Sequence, residues 1–328
     1  MENCQMSPLI RPRQIGAFTA PNNVWLAPMA GITDGPFRAL CLRGGAGVVC
    51  AEMVSAHALH YENPRSLRML SISEREKPVS MQIFGSDEQT IAEAARAAQA
   101  RGADIIDINA GCPVKKINRA GAGCVLMKDP AHLGRLVAAA VKAVQVPVTL
   151  KTRISLKRGK LLGDEIARIA ESEGAAAVLM HARAAEDVHA GDPDLEALAK
   201  VCASVKIPIL GNGGIDGAEK AEQFFQAGCA GLLIGRAAVG NPYIFRDIAQ
   251  ETAGEKVQPL DNRRRVEIYL ALIEENIAHY GEKIGVGRSK KTAGYWLRGF
   301  PNAAEVRGKF VRMENLSDIQ ALFASLTF

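Results

Sequence analysis

Three things are missing from this 328-residue chain, and each removes a class of function. There is no run of eighteen apolar residues, the length a membrane-spanning helix needs, and Met1 to Arg13 lacks the apolar core of a secretion signal. The expectation is therefore a cytoplasmic protein without a membrane partner. The 7 cysteines (Cys4, Cys41, Cys50, Cys112, Cys124, Cys202, Cys229) are odd in number, form no CxxC pair and have no histidine at zinc spacing. Neither a disulfide framework nor a structural metal is expected. Finally, the glycine fingerprint GxGxxG of dinucleotide-binding sheets is absent, as are low-complexity tracts.

What is present is a regular alternation of short β-rich runs with helical patterns. The runs are Val24–Pro28, Val48–Met53, Val79–Phe84, Ile105–Asn109, Val148–Lys151, Ala177–His181, Ile207–Gly211 and Gly231–Ile234. Helical stretches separate them, among them Pro36 to Arg43 and the alanine-rich Asp87 to Arg101. Eight β-then-α units argue for a closed (β/α)8 TIM barrel over a doubly wound sheet. After Phe245 the texture changes. Apolar residues recur at helical spacing (Val266, Ile268, Leu270, Ile273, Ile277), and no strand-like run follows. Gly254 and Pro259 interrupt the pattern between the two regions, so the expected organisation is a barrel over residues 1–250 and a small all-helical domain over 251–328.

In barrels the chemistry collects at the C-terminal ends of the strands. Reading those ends gives Pro28, Met29 and Ala30; Glu52; Gln82; Asn109 with Cys112; Lys151 with Arg153; His181 with Arg183; Asn212; and Gly235 with Arg236. Cys112 is the most informative address. Asn109 ends an apolar run, Gly111 frees the backbone, and Pro113 excludes the helical region for Cys112, so a thiol stands just past a strand end. A buried structural cysteine is the competing interpretation. The Gly211–Gly214 turn and the Gly235-Arg236 turn follow the seventh and eighth strands, where barrels bind phosphate through backbone N–H groups. Lys151 offers either a Schiff-base amine or a cation for a negatively charged ring. Gln82 offers a paired donor and acceptor, and His181 a further donor.

The stretches APMAGITDGPFR (27–38), MQIFGSD (81–87), DINAGCPVKKINRAGAGCVLMKDP (107–130), VPVTLKTR (146–153), LMHAR (179–183), ILGNGGI (209–215) and LLIGRAAVGNPYIF (232–245) resemble the tRNA-dihydrouridine synthases, in particular the bacterial B subfamily. The resemblance covers nearly the whole barrel. It implies a tightly bound FMN, NADPH as reductant, and reduction of uridine in tRNA to 5,6-dihydrouridine. It also implies flavin contacts at Pro28, Met29, Ala30, Gln82, Lys151, His181, Asn212, Gly213, Gly214, Gly235 and Arg236, and a catalytic cysteine at Cys112. That chemistry needs hydride at C6 and a proton at C5, and a thiol with an ordinary pKa of about 8.5 suits the second task. Lys115 and Lys116 would lower that pKa if they approached, so they are expected to point toward tRNA phosphate. Three positions depart from the family pattern: Ser155 in a segment that is commonly KxRxGW-like, Ala184 where a threonine commonly follows HxR, and Gly214 where an aspartate is frequent. The alternatives are a small-molecule flavin oxidoreductase of the dihydroorotate dehydrogenase-like type, and a paralogue with another RNA target or without catalysis.

Charge distribution supplies the expected partner. From Lys283 to Arg312 stand Lys283, Arg288, Lys290, Lys291, Arg298, Arg307, Lys309 and Arg312 against the single acid Glu305. Aromatic Tyr295, Trp296, Phe300 and Phe310 interleave with them. Together with Lys115, Lys116, Arg119, Arg153, Lys157, Arg158, Lys160 and Arg183 around the mouth, these residues are read as a track for tRNA, with Arg288, Lys290, Lys291 and Arg298 as its tail contacts, while Asn109 is read as orienting the base. No protein partner is evident.

Overall fold

A computed structural model describes residues 9–327; Cys4 lies outside them. Eight parallel strands close into a barrel: β1 (Val24–Leu26), β2 (Val49–Cys50), β3 (Val79–Phe84), β4 (Ile105–Asn109), β5 (Val148–Ser155), β6 (Ala177–Ala184), β7 (Ile209–Asn212) and β8 (Gly231–Ile234). Each pairs with the next, and β8 returns to β1 through Leu232↔Val24, Leu233↔Trp25 and Ile234↔Leu26. A two-residue strand, Val54–Ser55, rejoins β3 farther along at Ile83 and Phe84.

The strands are buried on both faces, which explains why they read as short apolar runs rather than alternating ones. One face points into the barrel, where Trp25, Cys50, Ile105, Leu179, Leu210 and Leu233 fill a small interior cluster. An antiparallel hairpin (Arg13–Ile15 with Phe18–Ala20) adds Ile15 and Ala20 to that cluster. Its Gly16 turn packs on Pro147 and Ala176, the residues preceding β5 and β6, so the hairpin caps the N-terminal end. The site is thereby confined to the opposite mouth.

The outer layer forms because each helix carries one apolar stripe. In Glu88–Ala100 the residues Ile91, Ala94, Ala95 and Ala98 are buried, the i, i+3, i+4, i+7 spacing of a single face. Asp87 caps that helix by accepting from the Thr90 amide at 2.8 Å. Pro130–Ala143 repeats the scheme, with Asp129 as cap, Pro130 in the first turn, and Leu133, Leu136, Val137 and Ala140 turned inward.

Strand lengths differ from the sequence expectation at the top of the barrel. β5 and β6 run past Lys151 and His181 to Ser155 and Ala184. The expectation ended them at their first charged groups, yet Arg153 and Arg183 lie buried within the pair, at 2% and 7% exposure. Three backbone carbonyls satisfy Arg153: Gly111 O at 2.8 Å, Ala184 O at 3.0 Å and Val188 O at 2.8 Å. A guanidinium with a carbonyl partner for each of its three nitrogens can lie buried within a strand. β1 and β2 are correspondingly shorter than expected, leaving Pro28–Ala30 and Ala51–Met53 as loop at the mouth.

Beyond the helix Ile244–Thr252, five further helices follow: Asn262–Tyr280, Glu282–Lys290, Ala293–Trp296, Ala303–Phe310 and Leu316–Ala324. Their core is aromatic, with Tyr269 stacked on Trp296 at 5.1 Å and tilted against Phe310 at 5.5 Å. This corrects one reading of the tail: Trp296, Phe300 and Phe310 are buried and not interleaved with an exposed track, and of that aromatic set Tyr295 alone is exposed, at 39%. No helix among the described residues is long and apolar enough to cross a membrane.

Candidate active site

A cavity of about 840 Å³ opens at the C-terminal mouth. All eleven positions expected to touch a cofactor line it: Pro28, Met29 and Ala30 after β1, Gln82 on β3, Lys151 on β5, His181 on β6, Asn212, Gly213 and Gly214 at the end of β7, and Gly235 with Arg236 after β8. Cys112, Asn109, Arg153, Arg183 and Arg298 line it too. The remaining expected tRNA contacts, Lys115, Lys116, Arg119, Lys157, Arg158, Lys160, Arg288, Lys290 and Lys291, do not.

The floor is built from cross-strand neighbours. Gln82, Asp107 and Thr149 stand side by side on β3, β4 and β5, and Asn109 pairs with Lys151 one step higher. Asp107 is fully buried and accepts from Gln82 Nε2 at 2.6 Å and Thr149 Oγ1 at 2.7 Å. Burial pushes its carboxyl up to about 7 against the lowering effect of those bonds and of Lys151. Lys151 is the mirror case, with burial bringing its amine down to about 8 while Asp107 opposes the shift. Its Nζ donates to Asn212 Oδ1 at 3.2 Å and has no other hydrogen-bond partner among the described residues. Two ammonium protons are thus available to the cavity.

His181 is held neutral, its pKa well below the ordinary 6.5, chiefly by burial and further by the cations Lys151, Arg153 and Arg183. Arg183 Nη1 lies 3.3 Å from His181 Nε2. Because a guanidinium only donates, Nε2 is the acceptor and the proton resides on Nδ1. Gly213 and Gly214 have φ of +144° and +78°, and a Cβ on Gly214 would stand 2.9 Å from Arg183 Nη2. The turn thus brings bare backbone beside a guanidinium, a cradle for an anion that a side chain would fill.

Cys112 is half-buried just past β4. Asn109 Oδ1 accepts from the amides of Gly111 at 3.3 Å and Cys112 at 3.1 Å, and Cys112 O accepts from Cys124 N at 3.0 Å, so the turn is fixed at both ends. Burial raises the Cys112 thiol pKa, with the Val114 amide, Arg153 and Lys151 pulling weakly the other way. The thiol therefore keeps its proton near neutrality. Lys115, Lys116 and Arg119 form a short exposed helix, Lys115–Arg119, beside it.

Two features were not legible in the sequence. Glu52, which had no evident partner, accepts from the Gly31 amide and from Arg288 Nη2 at 3.1 Å. Arg288 also donates through Nε to Asp34 Oδ2 at 2.7 Å and lies over Tyr280 at 4.6 Å. Its charge is spent inside the molecule, joining the tail to the loop that carries Pro28–Ala30, which corrects its reading as a phosphate contact. Tyr295 and Arg298 bring the tail to the cavity wall, and His189, stacked 6.0 Å from His181, and Val188 complete the rim. The only signal for the tail's approach was the mixture of aromatic and basic residues itself. Of the three departures from the family pattern, Ser155 and Ala184 are direct partners across β5 and β6.

The family model described as dihydrouridine synthase (Dus) matches residues 25–325 of the chain. A tRNA-dihydrouridine synthase B from Pseudomonas aeruginosa is 40% identical over 304 residues, covering 92% of each protein. Another from Pseudomonas syringae pv. tomato is 42% identical over 305 residues, covering 92% of this chain and 90% of the relative. Among solved structures, morphinone reductase in complex with tetrahydroNAD superposes with a TM-score of 0.53 at 14% identity, over 77% of this chain and 92% of that one. TcOYE with pHBA gives 0.56 at 12% identity, over 78% and 95%. These two likenesses are of fold.

Proposed function

Because the chain belongs to the dihydrouridine synthase family, we propose that the cavity binds FMN, draws its electrons from NADPH, and reduces uridine in tRNA to 5,6-dihydrouridine. The observation that carries this reading is the convergence of Lys151, Gln82, His181 and the two glycine turns on one cavity with Cys112 at its edge. Their chemistry fits a flavin phosphate and ring. The Gly213-Gly214 backbone and Arg183 supply a phosphate cradle, joined by Arg236. Lys151, with two free protons above a hydrophobic barrel interior, suits an electron-rich ring edge.

Bound flavin supplies the hydride that a C5=C6 double bond accepts at C6. Cys112 supplies the proton at C5: its thiol is protonated at neutral pH, and the pinned turn holds it at the cavity edge. Asn109 is already committed to Gln82 and the Cys112 turn, so its part is to hold that turn rather than to grip the base. Val114, Val188 and Tyr295, all exposed apolar groups at the rim, offer surfaces against which a base splayed out of the RNA can lie.

In this reading residues 1–250 are the catalytic barrel and residues 251–328 the tRNA-binding region. Exposed Lys291 and Arg298 with Lys290 on the tail, and Lys115, Lys116 and Arg119 on the barrel, bind phosphate. The test is spectroscopic first: protein purified from cells, or soaked in FMN, should be yellow, bleach with NADPH, and recover its colour when unmodified tRNA is added without oxygen. Protein that takes up no FMN contradicts the cofactor assignment, and NADPH-bleached protein that tRNA does not reoxidise contradicts the substrate assignment.

A further inference from the structure

The hydrogen bonds under the cavity have a direction, set at one end by a buried carboxyl and at the other by two backbone amides. Asp107 is fully buried, directly opposite Gln82 on one side and Thr149 on the other. Its Oδ2 can only accept, so Gln82 turns Nε2 toward it, at 2.6 Å. Gln82 Oε1 then faces Asn109, which answers with Nδ2 at 2.9 Å. Asn109 is left with Oδ1 over the turn, where it accepts from Gly111 and Cys112. Each side-chain amide is oriented by the one before it.

We propose that Asp107 is a positioning residue for the Cys112 turn, acting through the amide orientations of Gln82 and Asn109. The direction does not depend on the charge of Asp107. Once protonated, the carboxyl places its proton on the oxygen facing Thr149, whose hydroxyl accepts as readily as it donates, and still presents an acceptor to Gln82. Without an acceptor at 107, Gln82 loses the partner that fixes its orientation from below, and only the two backbone amides on Asn109 Oδ1 still oppose its reversal. A reversed Gln82 reverses Asn109, whose NH2 then opposes the two amides it had held. Gln82 and Asn109 are 2% and 7% exposed, so water is poorly placed to substitute. Lys151 is the charged neighbour of Asp107 but is hydrogen-bonded to Asn212 and stands outside this relay.

The inference rests on the reading that the Cys112 turn serves the reaction, but its test reads the turn itself. On the full-length flavin-treated protein, alkylation of Cys112 by iodoacetamide is followed at its peptide by mass spectrometry, with buried Cys41, Cys50 and Cys124 reporting an intact core. Asp107→Leu, which cannot accept, should raise the Cys112 rate about tenfold, the scale of one lost hydrogen bond. Gln82→Met, which removes the relay one step later, should do the same, and the double variant should be no faster than either. Asp107→Asn, which accepts from Gln82 and donates to Thr149, should stay within about twofold of the wild type. A folded Asp107→Leu alkylated at the wild-type rate overturns the proposal. So does an Asp107→Asn that matches Asp107→Leu, or effects of Asp107→Leu and Gln82→Met that multiply. Should Asp107→Leu not fold, a wild-type rate in Gln82→Met is sufficient to reject it. If these rates behave as expected while Cys112→Ala retains full activity, the relay stands and the assignment of Cys112 as the acid falls.

Discussion

Replacing Arg288 by methionine separates two roles that its position in a basic run makes easy to confuse. As a phosphate contact, its loss would weaken tRNA binding and flatten the salt dependence by about 0.7 to 0.9 log units per log unit of salt, leaving the fold untouched. The structure assigns it otherwise. Its guanidinium joins two carboxylates, Asp34 at 2.7 Å and Glu52 at 3.1 Å, with side-chain exposures of 21%, 7% and 15% for the three groups. Removing one member of a buried ion pair costs about 3–5 kcal/mol because the partner is left uncompensated. With Arg288 itself about one-fifth exposed, roughly 2–4 kcal/mol is expected. The pH dependence carries a sign. Burial already holds the Asp34 pKa above its ordinary 3.8, and Arg288 pulls it back. Without Arg288 it rises further, so the variant binds its proton more tightly when folded and loses stability as pH climbs from about 4 toward neutrality faster than the wild type does. The gap between the two proteins in urea denaturation should therefore be small near pH 4 and reach its full size by pH 7. The variant should also bind FMN more weakly, because Glu52 holds the Gly31 amide of the Pro28–Ala30 loop. Unchanged stability at pH 7 together with a flattened salt slope for tRNA would refute the anchoring role and restore the phosphate contact.

Cys112→Ala should keep FMN, by absorbance, while uridine reduction in single-turnover assays slows about 100- to 10,000-fold, the range for a lost general acid. Lys151→Met should weaken FMN binding in fluorescence titrations and remove its pH dependence. In the wild type, Lys151 loses its proton near pH 8 when flavin is absent, and binding must restore it, so the dissociation constant should be flat below about pH 8 and rise about tenfold per unit above it until the flavin-bound pKa is passed. Charge reversal at Lys290 and Lys291, which stand outside the cavity, should lower tRNA affinity in filter binding and reduce its salt slope by about 1.5 to 2, with FMN binding unchanged.

The barrel and its mouth were legible because the signals are local. A strand buried on both faces is a short apolar run, and the polar residues toward its C-terminal end face the mouth, so Gln82, Asn109, Lys151 and His181 could be placed by counting. The glycine turns announced themselves by composition, and their positive φ values at Gly213 and Gly214 supply the reason. What could not be read depends on distant partners. Arg288 meets Asp34 across 254 positions of chain, and nothing near either residue signals the pairing. The burial of Arg153 and Arg183 was hidden for the same reason: carbonyls from separate loops satisfy them, whereas a guanidinium in sequence reads as a strand end. Trp296, Phe300 and Phe310 stand between cations in the sequence, but Trp296 and Phe310 lie on the inner faces of short helices and Phe300 is buried between them, a distinction that needs the helix packing.

The most direct test of the central claim is made on RNA. The protein is loaded with FMN, reduced with NADPH without oxygen, and given tRNA from cells that lack this modification, after which the RNA is digested to nucleosides and analysed by mass spectrometry. The account predicts 5,6-dihydrouridine at a defined position, formed in proportion to the flavin reoxidised and almost absent with Cys112→Ala. Reduced flavoprotein that binds the tRNA yet leaves every uridine unsaturated would contradict it.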